Sequence, residues 1–476
     1  MASSLPAQPA DPADGAGAAG VARLVGGTGT GTSGAGARTE DIRQTAAGLF
    51  ERRGYAATTI SDIAEAAGIL PGSLYHHFAS KEDIAVDLLN RYSQALAGLG
   101  AAAAGRSAGG AGPAGRAGPL GSAEALEPAE LTEPSGDPGA LLRRLAAEVA
   151  GLAFAHPAAV RLSAYEAPSV ATGRLVAAIQ FRSPALDRAW RTAVQALAGH
   201  SPVADLGLLR FTVQRVTAYA PLYYPAGDAG RLAGQLCDLL LHGLLTEPPS
   251  FTELDRSAAY RTALEVTATW GVSGRGGGGP GAADDVTGAI LAAARREFAR
   301  RGYEATTIRD IAGAAGIGMA TLYRRVDSKE ALLQTIVDGY ADRLDEAFAA
   351  VLAADPGGPA ALAARVLAIT WVFAHASRHF RAESRIVALG WYGREETASP
   401  VHRYFVATQQ RLDTLAELLR PGLADGTVRP IAGAAELAQH LRTVLWLRFY
   451  EHGRTSEARA FAFLRQSLLG GALARE

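Results

Sequence analysis

Residues 58–81 read TTISDIAEAAGILPGSLYHHFASK, and residues 306–329 read TTIRDIAGAAGIGMATLYRRVDSK. The two stretches align without a gap at a constant offset of 248 residues, and 14 of their positions are identical. The register continues upstream, because FERRGY at 50–55 returns as FARRGY at 298–303. Close repetition within a short window is the mark of a duplicated module. The chain therefore carries one module twice.

Each copy has the sequence pattern of three short helices. In the first copy, apolar residues at helical spacing stop at Gly54, which favours the end of a helix there. Thr59 followed by Asp62 predicts a capping box that starts a second helix. Gly68 marks a sharp turn into a third helix at about 71–77. Two helices joined by such a turn form a helix-turn-helix, whose last helix fits a DNA major groove.

The order and spacing of the shared motifs resemble one known family. Both copies carry Arg-Gly-Tyr, Thr-Thr-Ile, Asp-Ile-Ala, Ala-Gly-Ile, Leu-Tyr and Ser-Lys-Glu in that order. This series is similar to the DNA-binding domain of TetR/AcrR-family transcriptional regulators. The resemblance implies an all-α fold of two tandem units. Each unit would have an N-terminal three-helix DNA-binding domain followed by a helical ligand-binding and dimerisation domain.

The same resemblance implies which residues contact DNA. Phosphate and backbone contacts are implied for Tyr75, Lys81, Tyr323 and Lys329, together with Thr59 and Thr307. Base reading would fall to Pro71, Gly72, Ser73 and His76 in the first copy, and to Met319, Ala320, Thr321 and Arg324 in the second. A lysine in the first turn of the next helix, beside unpaired backbone amides, is suited to binding an anion.

The two copies differ where DNA would be read. The first has His76-His77 where the second has Arg324-Arg325, so the second carries permanent charge and a donor able to read guanine. Residues 38–92 contain 6 Lys+Arg against 8 Asp+Glu, which is an acidic balance. We therefore expect the second copy to contribute more of the affinity for DNA.

Composition divides the chain into seven segments. Stretches rich in Gly, Ala, Pro and Ser indicate flexible segments, and apolar periodicity broken at X-Pro pairs indicates helical domains. The predicted segments are a disordered tail at 1–37, a first DNA-binding domain at 38–92, a flexible insertion at 93–139, a first helical ligand-binding and dimerisation domain at 140–246, a connector helix with a Gly-rich linker at 247–283, a second DNA-binding domain at 284–340 and a second helical domain at 341–476. The helix at about 252–270 has no counterpart elsewhere, so we interpret it as a connector.

The last two helices of each unit are the expected contact between units. In the family that this chain resembles, such helices form a four-helix interface in homodimers that bind palindromic DNA. The equivalents here are about 205–223 with 228–245, and about 434–451 with 456–471. We expect either an intramolecular pseudo-dimer or a homodimer, bound to an imperfect palindrome.

Aromatic and polar residues in the two larger domains are candidates for a small-molecule pocket. Most aromatic residues at such positions belong to a core, so the core interpretation stays open for each of them. The candidates are Phe154, His156, Tyr165, Trp190, Phe211, Tyr219, Trp371, Phe373, His375, Trp391 and Phe405.

The leading hypothesis is a cytoplasmic, ligand-responsive transcriptional repressor with double-stranded DNA and an unknown small molecule as partners. The alternative is a ligand-sensing or partner-binding module in which only the second helix-turn-helix acts on DNA. The sequence has no nucleotide-binding glycine loop, metal-ligand spacing or nucleophile elbow. We therefore expect no enzyme activity, no metal and no cofactor.

Overall composition does not decide whether the chain binds DNA. The net charge of -1 neither requires nor excludes a nucleic-acid partner. A single cysteine, Cys237, cannot form an intramolecular disulfide. The N-terminus lacks the pattern of a secretory signal, and no segment approaches the roughly 20 apolar residues of a membrane span. We expect a cytoplasmic protein that does not contact a membrane.

Overall fold

The computed structural model of the chain describes residues 33–108, 137–165, 173–201, 205–273, 282–354, 360–390, 399–447, 449 and 455–473. Within these ranges every regular element is a helix, apart from one isolated bridge between Leu245 and Val428. The predicted all-α class is confirmed.

Unit 1 is the first of two helical units. Its helices are α1 (Ser33–Arg53), α2 (Ile60–Ala66), α3 (Pro71–Leu74), α4 (Lys81–Ala108), α5 (Ala140–Ala155), α6 (Pro157–Tyr165), α7 (Gly173–Ile179), α8 (Pro184–Gln195), α9 (Leu206–Ala218), α10 (Ala220–Tyr223) and α11 (Ala229–His242). Two more helices follow, α12 (Phe251–Asp255) and α13 (Ala258–Ser273).

Unit 2 repeats this order with changes in its larger domain. Its helices are α14 (Ala282–Arg301), α15 (Ile308–Ala315), α16 (Met319–Tyr323), α17 (Lys329–Ala353), α18 (Ala361–His379), α19 (Arg381–Leu389), α20 (His402–Asp425), α21 (Ala434–Leu445) and α22 (Glu457–Arg465). A π-helical turn at Gln466–Gly470 continues α22.

Each predicted DNA-binding domain folds around the apolar residues that the sequence repeats. The buried set comprises Phe50, Ile63 and Leu74 in unit 1, and Phe298, Ile311 and Leu322 in unit 2. Burying one such side chain contributes roughly 1.5–3 kcal/mol. The same residues therefore hold the same three helices together twice. Helices α4 and α17 lead from these domains into the larger domain of each unit.

Helix α1 begins earlier than predicted. It starts at Ser33, inside the segment expected to be a disordered tail up to residue 37. Residues 36–38 are exposed, so these three residues offer no buried apolar face that periodicity could reveal. Residues 1–32 of the predicted tail lie outside the described residues.

Helix α4 corrects the predicted flexible insertion at 93–139. It runs through Ala108, because the segment is rich in alanine, the strongest helix former. A Cβ added at Gly100 would lie 2.3 Å from the backbone nitrogen of Leu186. The small residue therefore allows α4 and α8 to pack closely. The rest of the predicted insertion at 109–136 lies outside the described residues.

The predicted connector helix at 252–270 belongs to the core of unit 2. It is two helices, α12 and α13, and α13 packs against α17 and α18. Trp270 is 1% exposed, and its ring lies 4.9 Å from that of Phe380. The indole N–H of Trp371 donates to the Thr267 hydroxyl at 2.9 Å. Periodicity indicates that this stretch has a buried face, but it does not say which unit covers it. The predicted Gly-rich linker lies outside the described residues at 274–281.

The two units meet where their last helices end. Four of the backbone hydrogen bonds between them form a reciprocal set: the amides of Leu244 and Leu245 donate to the carbonyls of Leu468 and Leu469 at 2.7 and 3.2 Å, and the amides of Ala472 and Leu473 donate to the carbonyls of Leu240 and Leu241 at 2.9 and 2.8 Å. The two pairs of hydrogen bonds lie at matching positions that are 228 residues apart in the sequence, and each segment donates two bonds and accepts two. Reciprocal contacts of this kind define an isologous, two-fold interface.

A glycine from each unit lies at the centre of this crossing. Gly243 has φ 74° and Gly471 has φ 87°, a backbone region that favours glycine. A Cβ added at Gly243 would lie 2.5 Å from the backbone nitrogen of Gly471. A Cβ added at Gly471 would lie 2.4 Å from the carbonyl carbon of His242. Backbone therefore packs directly on backbone here.

Side chains extend the contact between units. Helices α9 and α11 of unit 1 face α21, α22 and the π-helical turn of unit 2, so the structure brings together the two helix pairs predicted to form the interface. Arg231 lies 2.8 Å from the carboxylate of Glu436, and Arg459 pairs with Asp205. The rings of Phe211 and Phe449 lie 5.6 Å apart. Both exposed ion pairs and buried rings contribute.

None of the helices in the described ranges is, by itself, long and apolar enough to cross a bilayer. Helices α5 and α6 pass this test only when taken together, and they are bent by 96° at their junction. The buried residues of α5 pack against other helices of the larger core.

Candidate nucleic-acid interface

The turn-helix segment of unit 1 is held by local contacts. The Thr59 hydroxyl accepts from the Asp62 amide at 3.1 Å, and the Asp62 carboxylate accepts from the Thr59 amide at 2.7 Å. Hydrogen bonds from Thr59 lower the pKa of Asp62, so this cap is charged at neutral pH. Gly68, with φ 65°, then turns the chain toward α3. Leu74 is fully buried and anchors α3.

Unit 2 repeats this geometry closely. The Thr307 hydroxyl accepts from the Asp310 amide at 3.1 Å, and the Asp310 carboxylate accepts from the Thr307 amide at 2.9 Å. Gly316 has φ 69° and Leu322 is fully buried. The predicted capping boxes are present in both copies. Their threonines are exposed beside the recognition helices, and their contact with DNA stays a prediction.

Helices α3 and α16 present most of the predicted base-reading residues to solvent. The exposed ones are Pro71, Gly72, Ser73 and His76 in unit 1, and Ala320 and Arg324 in unit 2. Met319 and Thr321 are half-buried. Tyr75 and Tyr323, predicted to meet phosphates, are 55% and 61% exposed. These side chains are accessible to a partner, and their roles stay predictions.

The two lysines predicted to bind phosphate have partners within the protein. The Lys81 ammonium donates to the carbonyls of Tyr55 and Thr58, both at 2.7 Å, and lies 4.3 Å from the centre of the Tyr55 ring. Lys329 repeats these contacts with Tyr303 and Thr306. The geometry gives both lysines a structural role in holding the loop before the helix-turn-helix. An additional phosphate contact stays a prediction.

The two copies also differ in the contacts and exposure of the side chains near their recognition helices. The His77 ring nitrogen Nδ1 lies 2.8 Å from the Thr39 hydroxyl, so this side chain packs back onto α1. Arg325, at the matching position, is exposed. Residues 284–340 contain 8 Lys+Arg against 8 Asp+Glu, compared with the acidic balance at 38–92. Unit 2 therefore offers more positive charge beside its recognition helix.

The predicted ligand-pocket residues do not converge on one site. Phe154 and Phe405 line a cavity of about 560 Å³ that lies between the two units. The remaining candidates on described side chains serve the core or other contacts; they are His156, Trp190, Phe211, Tyr219, Trp371, Phe373 and His375. Tyr165 and Trp391 have side chains outside the described set. Sequence alone places aromatic residues on helices, but not around a shared space.

Sequence reasoning missed the crossing of the two segments that follow the last helix of each unit. The signal was present, because LLLHGLL at 239–245 and SLLGGAL at 467–473 share leucines and a glycine at matching positions. This repeat has an offset of 228 instead of 248, so a search in the register of the DNA-binding domains passes over it.

His440 is a buried titratable group at the contact between units. It is fully buried, and its Nδ1 lies 2.9 Å from the Tyr224 hydroxyl. Burial lowers the pKa of His440 to about 4, with a smaller opposing effect of Glu436. The folded protein therefore holds this imidazole neutral at pH values where an unfolded chain would protonate it.

We expect stability to fall on acidification below neutral pH. Because the folded pKa lies below the unfolded value near 6.5, the unfolded state gains a proton first, and stability is lost as pH falls from about 6.5 toward 4. At pH 5 the loss attributable to His440 is about 2 kcal/mol. Denaturant unfolding at pH 7.5 and pH 5 measures it. His440→Gln should reduce the difference between the two pH values, and an unchanged difference would contradict this assignment.

The comparisons with known proteins match the two helix-turn-helix segments. The family model described as "Bacterial regulatory proteins, tetR family" matches residues 42–88 and 290–336. The HTH-type transcriptional repressor KstR2 of Rhodococcus jostii (strain RHA1) is 51% identical over 67 residues, which are 14% of this chain and 33% of the relative. KstR2 of Mycobacterium tuberculosis (strain ATCC 25618 / H37Rv) is 53% identical over 55 residues, which are 12% of this chain and 28% of the relative. The matches thus span about a third of these relatives.

The chain is also similar in structure to solved transcriptional regulators. The ketosteroid transcriptional regulator KstR2 of Mycobacterium tuberculosis has a TM-score of 0.34 and 24% identity, covering 38% of this chain and 89% of that one. AibR in complex with isovaleryl coenzyme A and operator DNA has a TM-score of 0.33 and 24% identity, covering 39% of this chain and 98% of that one.

Proposed function

Because two segments of the chain match the tetR family of bacterial regulatory proteins and lie in two tandem tetR-like units, we propose that it is a DNA-binding transcriptional regulator of this family whose two units act together on one operator. Each unit supplies one recognition helix, α3 or α16, with exposed side chains. The major groove admits one such helix, so two helices in one chain can read two half-sites.

The reciprocal backbone crossing is the observation that carries this proposal. Family members with one unit need a second chain to form a two-fold interface. Here Gly243 and Gly471 meet within one chain, and four backbone hydrogen bonds surround them. The chain then acts as its own dimer, and the covalent link keeps the effective concentration of the second unit high.

The operator is an imperfect inverted repeat, and its occupation represses transcription. Imperfection follows from the two recognition helices, because His76 and Arg324 occupy the same position in the two copies. An arginine can donate two hydrogen bonds to guanine, whereas histidine reads a base differently. Repression is supported by the names of the relatives, which are transcriptional repressors.

A small molecule regulates DNA binding by changing the separation of the two DNA-binding domains. Helices α4 and α17 each begin at a DNA-binding domain and continue into the body of a unit. A ligand that prefers one arrangement of these helices shifts the population of DNA-competent molecules. The protein then acts in the cytoplasm, where its DNA and its ligand are both accessible.

A second function is favoured by the acidic balance of residues 38–92 and by the internal contact of His77. In that case unit 1 senses a ligand or a partner, and only α16 of unit 2 reads DNA. The two cases differ in the number of half-sites that the operator contains.

We expect one chain of 49.2 kDa to occupy one operator. Selection of binding sequences from a random double-stranded DNA pool, with the purified full chain, should recover an imperfect inverted repeat. Native mass measurement of the complex then counts the chains. Two chains on a single inverted repeat would contradict the intramolecular dimer, and recovery of a lone half-site would favour the second function.

A further inference from the structure

The cavity between the two units has a mixed apolar and charged lining. Its wall comes from α5, α6 and the segment 221–226 of unit 1, from α20 and α21 of unit 2, and from Glu51 on α1. Apolar surface is supplied by Phe154, Leu222, Phe405 and Leu412, among others. Neither unit encloses this space alone.

Two guanidinium groups face this cavity, one from each unit. Arg161 lies on α6 and Arg442 on α21, while Glu51 is the single carboxylate among the described residues of the lining. Arg442 is 8% exposed, and its guanidinium lies 5.2 Å from the centre of the Tyr223 ring. The buried Nε of Arg161 has no hydrogen-bond partner among the described residues. Two positive charges against one negative charge among these lining residues favour an anion.

Glu51 ties this cavity to the first DNA-binding domain. Burial raises the pKa of its carboxyl, while the charge of Arg161 and a hydrogen bond from the Ala158 backbone amide act in the opposite direction. Glu51 therefore joins the end of α1 to the first turn of α6. Glu51 and Arg161 both line the cavity, so an anion bound near Arg161 also lies near the Glu51 carboxylate.

Unit 2 lacks this arrangement. The position that matches Glu51 in the repeat is Ala299. The corresponding contact, between α14 and α19, is held instead by Arg295 and Glu383, whose Nε and Oε1 atoms lie 2.7 Å apart. Glu383 is 7% exposed, so its carboxylate is buried, whereas the Arg295 side chain is 42% exposed. The two DNA-binding domains thus contact their units through different charged residues, Glu51 in unit 1 and Arg295 with Glu383 in unit 2.

We propose that the cavity between the units binds a small amphipathic anion, an apolar body carrying one carboxylate or phosphate group, and that this ligand acts on the DNA-binding domain of unit 1 alone. The anionic group lies between Arg161 and Arg442, and the apolar body contacts the aromatic side chains. This inference names the ligand class and the regulated domain within the proposed function, on which it rests.

Binding is tested with the full chain and the fluorescent probe 8-anilinonaphthalene-1-sulfonate. Gln409 is exposed and lines the cavity, and Gln410 is its exposed neighbour outside the lining. Gln409→Trp should weaken probe binding by at least about tenfold, because the indole fills the opening, whereas Gln410→Trp should leave it unchanged. Equal binding by the two variants would mean surface association only and would overturn the proposal.

The charge requirement is tested by displacing the probe with decanoate or decan-1-ol. Decanoate should displace it at concentrations at least about tenfold lower, and Arg161→Gln should remove that preference. Arg420→Gln removes an exposed charge elsewhere on α20 and serves as the control. Thermal unfolding checks that each variant folds; if Arg161→Gln does not fold, the tryptophan pair decides. Equal displacement by the acid and the alcohol would overturn the proposal.

The regulated domain is tested without DNA, by hydrogen exchange with and without decanoate. Amide exchange in α1 and α6 should change by at least about threefold, and exchange in α14 and α19 should not. A change of equal size in both units, or in neither, would overturn the assignment to unit 1. Failure of DNA binding leaves this readout unaffected, so the two proposals fail independently.

Discussion

Replacing Gly243 with alanine is expected to destabilise the protein by more than about 3 kcal/mol. Two costs combine at this position. The backbone has φ 74° and ψ 171°, a region that is essentially restricted to glycine. The new methyl group would also lie 2.5 Å from the backbone nitrogen of Gly471, and backbone cannot move aside as a flexible side chain can. Denaturant unfolding of the full chain measures the effect.

Gly234→Ala is the matched control for this substitution. Gly234 lies inside the same helix, α11, and a Cβ added there meets nothing within 4 Å. Alanine in a helix interior is favoured over glycine by about 1 kcal/mol, so this variant should be slightly more stable than the parent protein. Equal stability of the two variants would show that the crossing at Gly243 and Gly471 does not hold the units together.

The second large effect concerns the recognition helices. Replacing Tyr323 and Arg324 together with alanine should weaken operator binding by about 100-fold, because an arginine reading guanine contributes about 1–3 kcal/mol and the tyrosine adds a phosphate contact. The matching double substitution, Tyr75→Ala with His76→Ala, should weaken it by about tenfold, since a histidine ring lacks the two-donor guanidinium that reads guanine. Titration of operator DNA at several salt concentrations measures both losses.

The comparison of the two double variants separates the proposed functions. Matching positions are changed, and all four side chains are exposed, so differences in folding contribute little. Arg420→Ala, at an exposed site on α20, controls for the loss of one positive charge. A silent first pair would indicate that only unit 2 reads DNA. Equal losses from both pairs would contradict the predicted inequality of the copies.

The predicted phosphate-binding tyrosines and lysines show which features short-range sequence patterns can predict. Tyr75 and Tyr323 are exposed as their positions on a short helix suggest. Lys81 and Lys329 stand at the start of a helix, where free amides attract anions, yet their ammonium groups bond to carbonyls 23 and 26 residues earlier in the chain. No short-range pattern indicates such a partner, because it depends on how the loop before α2 or α15 returns to the following helix.

The proposed ligand site depends even more on tertiary packing than the contacts of the lysines do. Aromatic residues were recognisable in the sequence, but of the candidates whose side chains the structure describes, only Phe154 and Phe405 line the cavity. Glu51, Arg161 and Arg442 were not among the candidates. They come from a DNA-binding helix and from two different units, so each is unremarkable in its own segment. Their shared space exists only after the two units pack together.

The sequence by itself determined the two helix-turn-helix units, their capping boxes and their unequal recognition residues. These features depend on neighbours a few residues apart: a threonine and an aspartate at a helix start, a glycine at a turn, and apolar residues at helical spacing. Only the tertiary structure decided how the units join, which unit α13 completes and where the cavity lies. Those outcomes depend on contacts such as Gly243 with Gly471, 228 residues apart, where close approach of two backbones is a property of the packed fold and not of either segment.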